Sequence, residues 1–139
     1  MGTKAYQILE HTADIGIRVT GNDLAELFTK AALAAFDIIA EKKSHSEKTI
    51  ELFLTQEAGD VSELLVNWLN ELLSLAAVKG GIFTQISFQE IDAHNLKAVC
   101  FAESAQAYRM KTEIKAATYH ALKVEKSKSG WLAEIIFDV

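Results

Sequence analysis

The hydrophobic positions of this chain fall into short alternating runs, separated by two longer runs with helical spacing. In the run Asp14–Thr20, Ile15, Ile17 and Val19 share one face and small or polar residues share the other, which predicts a half-buried strand. Alternation and flanking turn residues predict further strands over 4–10, 49–55, 82–91, 96–103, 121–126 and 131–138. The polar segments 41–48 and 104–111 are predicted to be loops, and 112–120 fits either a short helix or an extended segment.

Two segments repeat apolar residues every three or four positions, which is typical of a buried helical face. The first runs from Leu24 to about Ala40, and the second runs from Val61 until Gly80. Asp23 and Asp60 precede them, each with a glutamate three residues later, and this pattern resembles an N-terminal capping box. The sequence therefore predicts two main helices.

The order of these elements favours an α+β fold, with the two helices packed on a largely antiparallel or mixed β-sheet. We expect residues 1–139 to form a single compact domain, since the length suits one hydrophobic core and no linker composition interrupts it. The segment Asp23–Phe28 resembles Asp60–Leu65, each after a strand and a glycine. An internal duplication of a strand–helix unit is therefore a further hypothesis.

Composition and charge narrow the classes of function. The net charge is −5 with 14 lysines and arginines, so we expect no tight, direct binding of nucleic acid. No apolar stretch is as long as the roughly 18 residues that a membrane span needs, so no membrane association is predicted. The single cysteine, Cys100, fits a reducing, cytoplasmic setting.

Oxygen ligands occur near both ends of the chain. Asp14 follows the first predicted strand, and Asp138 lies beside Val139, whose main-chain carboxylate would be a third ligand. If the two ends meet, these groups form an oxygen-only cluster that suits a hard divalent cation such as calcium or magnesium. The alternative is that Asp14 caps a turn and Asp138 is a solvated strand-end residue.

The sequence contains none of the common catalytic motifs, including phosphate-binding glycine loops, His-Glu-x-x-His, Gly-x-Ser-x-Gly and Cys-x-x-Cys. Cys100 lies between Val99 and Phe101, as a buried apolar cysteine does. We therefore predict a protein that is not an enzyme. A hydrolase that uses His11 or His120 is a weaker alternative, because no nucleophile motif accompanies them. A turn position for His11 and a packed or partly exposed one for His120 are the simpler interpretations.

Four motifs together resemble the archease family. They are His11–Gly16, Leu64–Leu73, Glu113–His120 and the terminal run from Trp131 to Val139, and they occur in the family's order over essentially the whole chain. The resemblance implies a compact α+β fold and a divalent-metal site formed by Asp14, Asp138 and Val139. The segment from Ala102 to Met110 departs from the family's pattern and is shorter.

The resemblance also implies a function. Archeases are protein cofactors of the RtcB-type RNA ligase of tRNA splicing, and they promote guanylylation of the ligase and its multiple turnover. His11, Glu113 and Lys115 then become candidates for contact with this partner. A general chaperone or modulator of an RNA-modifying enzyme, with a purely structural cation, is the alternative. The oligomeric state and the ligase-docking surface are left open.

Overall fold

The computed structural model describes residues 5–10, 14–46 and 48–139 of the chain. The described strands are β1 (Gln7–Glu10), β2 (Asp14–Gly21), β3 (Ala40–Lys42), β4 (Thr49–Glu57), β5 (Gly81–Ile91), β6 (Asn95–Ser104), β7 (Tyr108–Met110), β8 (Ala116–Ala117), β9 (Lys123–Ser127) and β10 (Gly130–Asp138). The described helices are α1 (Leu24–Ile39) and α2 (Val61–Lys79), and a 3₁₀ turn spans Ala105–Ala107.

The described strands form three antiparallel sheets. The largest has five strands in the order β1-β2-β10-β8, with β9 paired to another stretch of β10. A second sheet has the order β4-β6-β5, and β3 and β7 form a two-stranded ribbon. The α+β prediction is confirmed. The sequence left open whether the sheet is largely antiparallel or mixed, and all strand pairings among the described residues are antiparallel.

Both helices begin where the sequence predicts. The Asp23 carboxylate accepts from the Glu26 main-chain N–H at 2.8 Å, and Asp60 accepts from Glu63 at the same distance. Each cap satisfies one of the amide groups that a helix start leaves without an intrahelical acceptor. α2 ends at Gly80, which adopts the left-handed conformation (φ 65°) that favours glycine.

The core lies between the helices and the sheets. Trp68 and Phe28 are fully buried, and the Trp68 indole N–H donates to the Phe28 carbonyl at 3.0 Å. By length and composition alone α2 could cross a membrane, with 19 residues and a mean hydropathy of 1.2. Its apolar face, however, belongs to this core, in which Leu65, Leu69 and Leu72 are also buried. Core packing therefore accounts for the apolar character of α2.

Two segments that the sequence predicts as loops contain strands instead. β3 begins at Ala40, directly before the first of them, extends into it and pairs with β7 in the second, bringing Glu41 opposite Arg109 and Lys42 opposite Tyr108. Each strand has only three residues, which is too short for an alternating apolar pattern. The ambiguous segment 112–120 contains the two-residue strand β8 and no helix.

Candidate functional site

The ends of β2 and β10 bring Asp14 and Asp138 together. In the antiparallel register Asp138 is the direct partner of Asp14, in a ladder that continues to Trp131 and Gly21. Directly opposed residues of an antiparallel pair project from the same face, with Cβ atoms about 4.5–5.5 Å apart. Asp14 is partly buried and Asp138 is exposed. We call Asp14, Asp138 and Val139 the acidic tip.

The same face of the sheet offers an internal comparison. Four residues along each strand from the acidic tip, Arg18 is the direct partner of Glu134, and their side chains form an ion pair at 2.8 Å. Opposed charges of unlike sign stabilise a strand pair, whereas like charges destabilise it. Asp14 and Asp138 are therefore a like-charge pair, which a cation between them would compensate. Arg18 and Glu134 compensate each other.

The segment before β8 runs along the other side of the acidic tip. Ala116 is the direct partner of Asp138, and the Lys115 main-chain N–H donates to the Asp138 carbonyl at 2.8 Å. Thr118 anchors the far end of β8, since its N–H and its hydroxyl both donate to the Ile136 carbonyl, at 3.0 and 2.8 Å. Small Ala116 thus completes a row with Asp138 and Asp14 across three neighbouring strands.

Asn70 of α2 holds β8 in place. Its side-chain oxygen accepts from the Ala117 N–H at 2.8 Å, and its amide nitrogen donates to the Ala117 carbonyl at 3.1 Å. One side chain therefore satisfies both main-chain groups of Ala117 and joins the helix to the strand beside Asp138. The sequence places Asn70 only on the polar face of the second helix; its partner lies 47 residues away, beyond the reach of local patterns.

The remaining predicted site residues lie in different places. Lys115 and Glu113 are exposed in the segment that leads to β8, and the main chain of Lys115 joins the acidic tip as described. Val139 follows Asp138 directly and is 38 % exposed. His120 is exposed beyond β8, where its N–H donates to the Thr118 hydroxyl at 3.3 Å, so of the packed and partly exposed options the packed one is excluded. His11 lies outside the described residues.

The acidic tip offers a small set of ligands to a metal ion. Over residues 5–10, 14–46 and 48–139, no group of three or more His, Cys, Asp or Glu side chains is arranged to hold one. The acidic tip supplies two side-chain carboxylates, and its third candidate ligand is the main-chain carboxylate at Val139. A hard cation that keeps several waters fits such a set, since magnesium commonly binds through only one or two carboxylates.

Cys100 does not have the properties of a catalytic nucleophile. It is fully buried, and burial raises the pKa of its thiol to about 11. A reactive cysteine needs the reverse, because the thiolate is the attacking species. The prediction that Cys100 is a buried residue is confirmed.

Fold and site together define a class: a small antiparallel α+β protein with opposed carboxylates at the ends of two central strands. Residues 6–139 match the model of the Archease protein family (MTH1598/TM1083). The chain belongs to the archease family.

Relatives and solved structures agree with this assignment. The chain is 40 % identical to a protein archease of Methanosarcina acetivorans over 143 aligned residues, covering 98 % of this chain and 97 % of the relative. It is 34 % identical to a protein archease of Pyrococcus abyssi over 142 residues, covering 98 % and 99 %. Among solved structures, protein 1598 of Methanobacterium thermoautotrophicum superposes with a TM-score of 0.73 at 26 % identity, covering 99 % of this chain and all of that one.

A second solved structure is described with a possible role. An archease from Thermotoga maritima, described as a possible chaperone, superposes with a TM-score of 0.66 at 24 % identity, covering 94 % of each chain. At this identity the similarity shows the fold alone. The recognition made from the four sequence motifs is nevertheless confirmed by the family match and the curated relatives.

Proposed function

We propose that this protein activates an RtcB-type RNA ligase in tRNA splicing by presenting its acidic tip, with a bound divalent cation, to the ligase. The observation that carries the proposal is the direct register of Asp14 and Asp138 at the ends of two adjacent strands. The resemblance to the archease family supports the choice of partner, because it implies a protein cofactor of this ligase. The cation would be calcium or magnesium, and the protein itself would not be an enzyme.

The chain's own residues would have distinct tasks. Asp14, Asp138 and the carboxylate at Val139 would hold the cation, while Asn70 and Thr118 fix the neighbouring strand through main-chain hydrogen bonds. When bound, the cation supplies positive charge that cancels the repulsion between the carboxylates and organises oxygen ligands. Exposed Glu113 and Lys115 flank this region and are candidates for contact with the ligase, as is His11.

Multiple-turnover RNA joining tests the proposal. The RtcB-type ligase of the same organism is assayed with this protein at substoichiometric amounts, comparing wild type, Asp14→Asn and Asp138→Asn. Glu134→Gln is the matched control, because it removes a carboxylate from the same face of the same strand, away from the acidic tip. We expect sustained turnover with wild type and with the control, and loss of stimulation with both aspartate variants.

Two results would contradict the proposal. Folded aspartate variants that stimulate the ligase as well as wild type does would remove the acidic tip from the mechanism. No stimulation by wild type, with the ligase itself active, would remove the ligase as partner. Guanylylation of the ligase, measured in a single turnover, separates an effect on nucleotide transfer from an effect on later steps.

The alternative function is a general chaperone or modulator with a structural cation. It is favoured by large apolar side chains on the surface, since Val78, Met110 and Tyr119 are all more than half exposed. This function predicts that chelation lowers the melting temperature without changing ligase guanylylation. It also predicts that the protein suppresses aggregation of unrelated unfolded clients.

A further inference from the structure

Strand β4 forms an edge of the three-stranded sheet. Its nine residues pair with β6 in one continuous register, from Thr49 opposite Glu103 to Glu57 opposite Asn95. In the part of the chain that the structure describes, no strand pairs with its other edge. Edge strands of monomeric proteins are commonly protected by proline, lysine, bulges or short length. β4 has no proline, lysine or bulge and is nine residues long; its charged side chains are Glu51 and Glu57, on either side of its centre.

The centre of this edge strand carries an exposed aromatic residue. Phe53 is the fifth residue of β4, and 72 % of its surface is accessible to solvent. Its direct partner on β6 is Val99, which is partly exposed on the same face of the sheet. An exposed aromatic side chain at the midpoint of a long, regular edge strand without a proline, lysine or bulge is typical of a surface that binds another chain.

We propose that β4 pairs with β4 of a second copy of this chain, antiparallel and about a two-fold axis at Phe53. The self-association is independent of the function proposed above, and no residue of the acidic tip lies on β4. A two-fold axis at the fifth of nine residues pairs the strand over its full length. The outward pairs are Phe53 with Phe53, Glu51 with Thr55 and Thr49 with Glu57; the inward pairs are Leu52 with Leu54 and Ile50 with Gln56.

Charge complementarity favours this occupant and this register. Each glutamate of β4 faces a threonine of the second copy, so no two carboxylates are directly opposed. Thr55 is the direct partner of Lys97 on β6, which places a lysine one strand beyond the threonine that Glu51 faces. On the other side, Glu57 faces Thr49, and the Glu103 carboxylate beyond it is paired with Lys42 at 3.0 Å.

Other two-fold registers are less favourable. An axis at Glu51 opposes the two Glu51 carboxylates, and an axis at Leu54 opposes Glu51 and Glu57, which are like-charge pairs of the kind that destabilise adjacent strands. The Phe53 axis instead opposes two aromatic rings, which is among the favourable cross-strand combinations. The resulting dimer would have one continuous six-stranded sheet across the two copies.

Opposite substitutions at one residue test this register. Thr55 is exposed, so Thr55→Glu and Thr55→Lys are both expected to fold, which circular dichroism checks. In the dimer, Thr55→Glu would place a glutamate opposite Glu51 of the other copy at two positions, one on each side of the axis. Thr55→Lys would place a lysine opposite Glu51 at the same two positions. Sedimentation equilibrium of the full chain over a wide range of concentration measures the dimer dissociation constant of each protein.

We expect wild type to dimerise, Thr55→Glu to weaken the dimer by about tenfold, and Thr55→Lys to leave it as tight or tighter. Phe53→Ala is expected to weaken it as well. A wild-type chain that stays monomeric at every concentration would overturn the proposal. A dimer that responds equally to both Thr55 substitutions would also overturn it, because it would form through another surface or register. A monomer whose ligase binding depends on Phe53 would assign this edge to the ligase instead.

Discussion

At the scale of single residues, the acidic tip and the Arg18–Glu134 pair show opposite uses of the same geometry. Both are directly opposed pairs on one face of β2 and β10. The Arg18–Glu134 pair joins opposite charges, whereas the acidic tip places two carboxylates in direct register, where we propose that a cation binds. The stability of this protein should therefore depend on divalent cations at one pair and not at the other.

The aspartates should reverse their effect on stability when a cation is added. In a chelator, Asp138→Asn should raise the free energy of unfolding by about 0.2–1 kcal/mol, because a like-charge pair is removed. In saturating calcium or magnesium, wild type should gain about 2.7 kcal/mol at 100 times the dissociation constant, and the variants should gain little. Thermal melting with and without cation measures both effects, with Glu134→Gln as the control. Parallel shifts in all proteins would contradict the assignment.

Loss of the Asn70 side chain should weaken the attachment of β8 beside the acidic tip. Asn70→Ala leaves both main-chain groups of Ala117 without their side-chain partner, which should cost about 1–3 kcal/mol of unfolding free energy. Hydrogen exchange at Ala117 and Lys115 should become faster in the variant. Asn67→Ala is the matched control, one turn earlier on α2, because the described residues include no side-chain hydrogen-bond partner for Asn67. Equal effects of the two substitutions would argue against a specific role for Asn70.

At the scale of elements, the β3–β7 ribbon is fastened to β6 by polar contacts. The Tyr108 hydroxyl donates to the Glu103 carboxylate at 2.8 Å, and the Lys42 ammonium donates to the same carboxylate. The Tyr108 hydrogen bond and the Lys42 ammonium hold the pKa of Glu103 below its usual range. Burial, together with the bond to Glu103, raises the pKa of Tyr108 to about 12.

These pKa shifts fix the direction of a pH dependence. Because the pKa of Glu103 is lower in the folded protein, its stabilising effect is fully present above the unfolded value of about 4.3 and is lost as pH falls through the folded value. The difference in melting temperature between wild type and Glu103→Gln should therefore shrink between about pH 6 and about pH 3. A difference that stays constant over this range would show that the carboxylate charge does not fasten the ribbon.

Regular elements could be predicted from the sequence, whereas short ones could not. α2 has five turns of apolar spacing between an aspartate cap and Gly80, so local pattern is enough. β3, β7 and β8 have two or three residues each, and pairing partners distant in sequence decide their conformation. The same limit applies to the site. The proximity of Asp14 and Asp138 could be proposed from the sequence, because each lies at the end of a predicted strand. The contact of Asn70 with Ala117 could not, because it depends on tertiary packing.

At the scale of the whole molecule, β10 takes part in most of the strand pairings of the larger sheet. It pairs with β2 on one side, with β8 and β9 on the other, and it follows every other described element in the chain. Residues 1–129, which lack β10, should therefore have no stable tertiary structure. Residues 1–137 should fold but lose cation-dependent stabilisation. Amide NMR spectra of both fragments test this; a well-dispersed spectrum of residues 1–129 would contradict it.

The position of β10 also bears on how a ribosome makes this protein. Synthesis proceeds from β1 to β10, so the central strand emerges after all of its neighbours in the sheet. A nascent chain therefore holds β2 without its main partner until β10 has emerged, and Asp14 meets Asp138 only then. A prematurely terminated product would lack the acidic tip altogether. Under the function proposed above, translation products that lack β10 would therefore be inactive without being inhibitory.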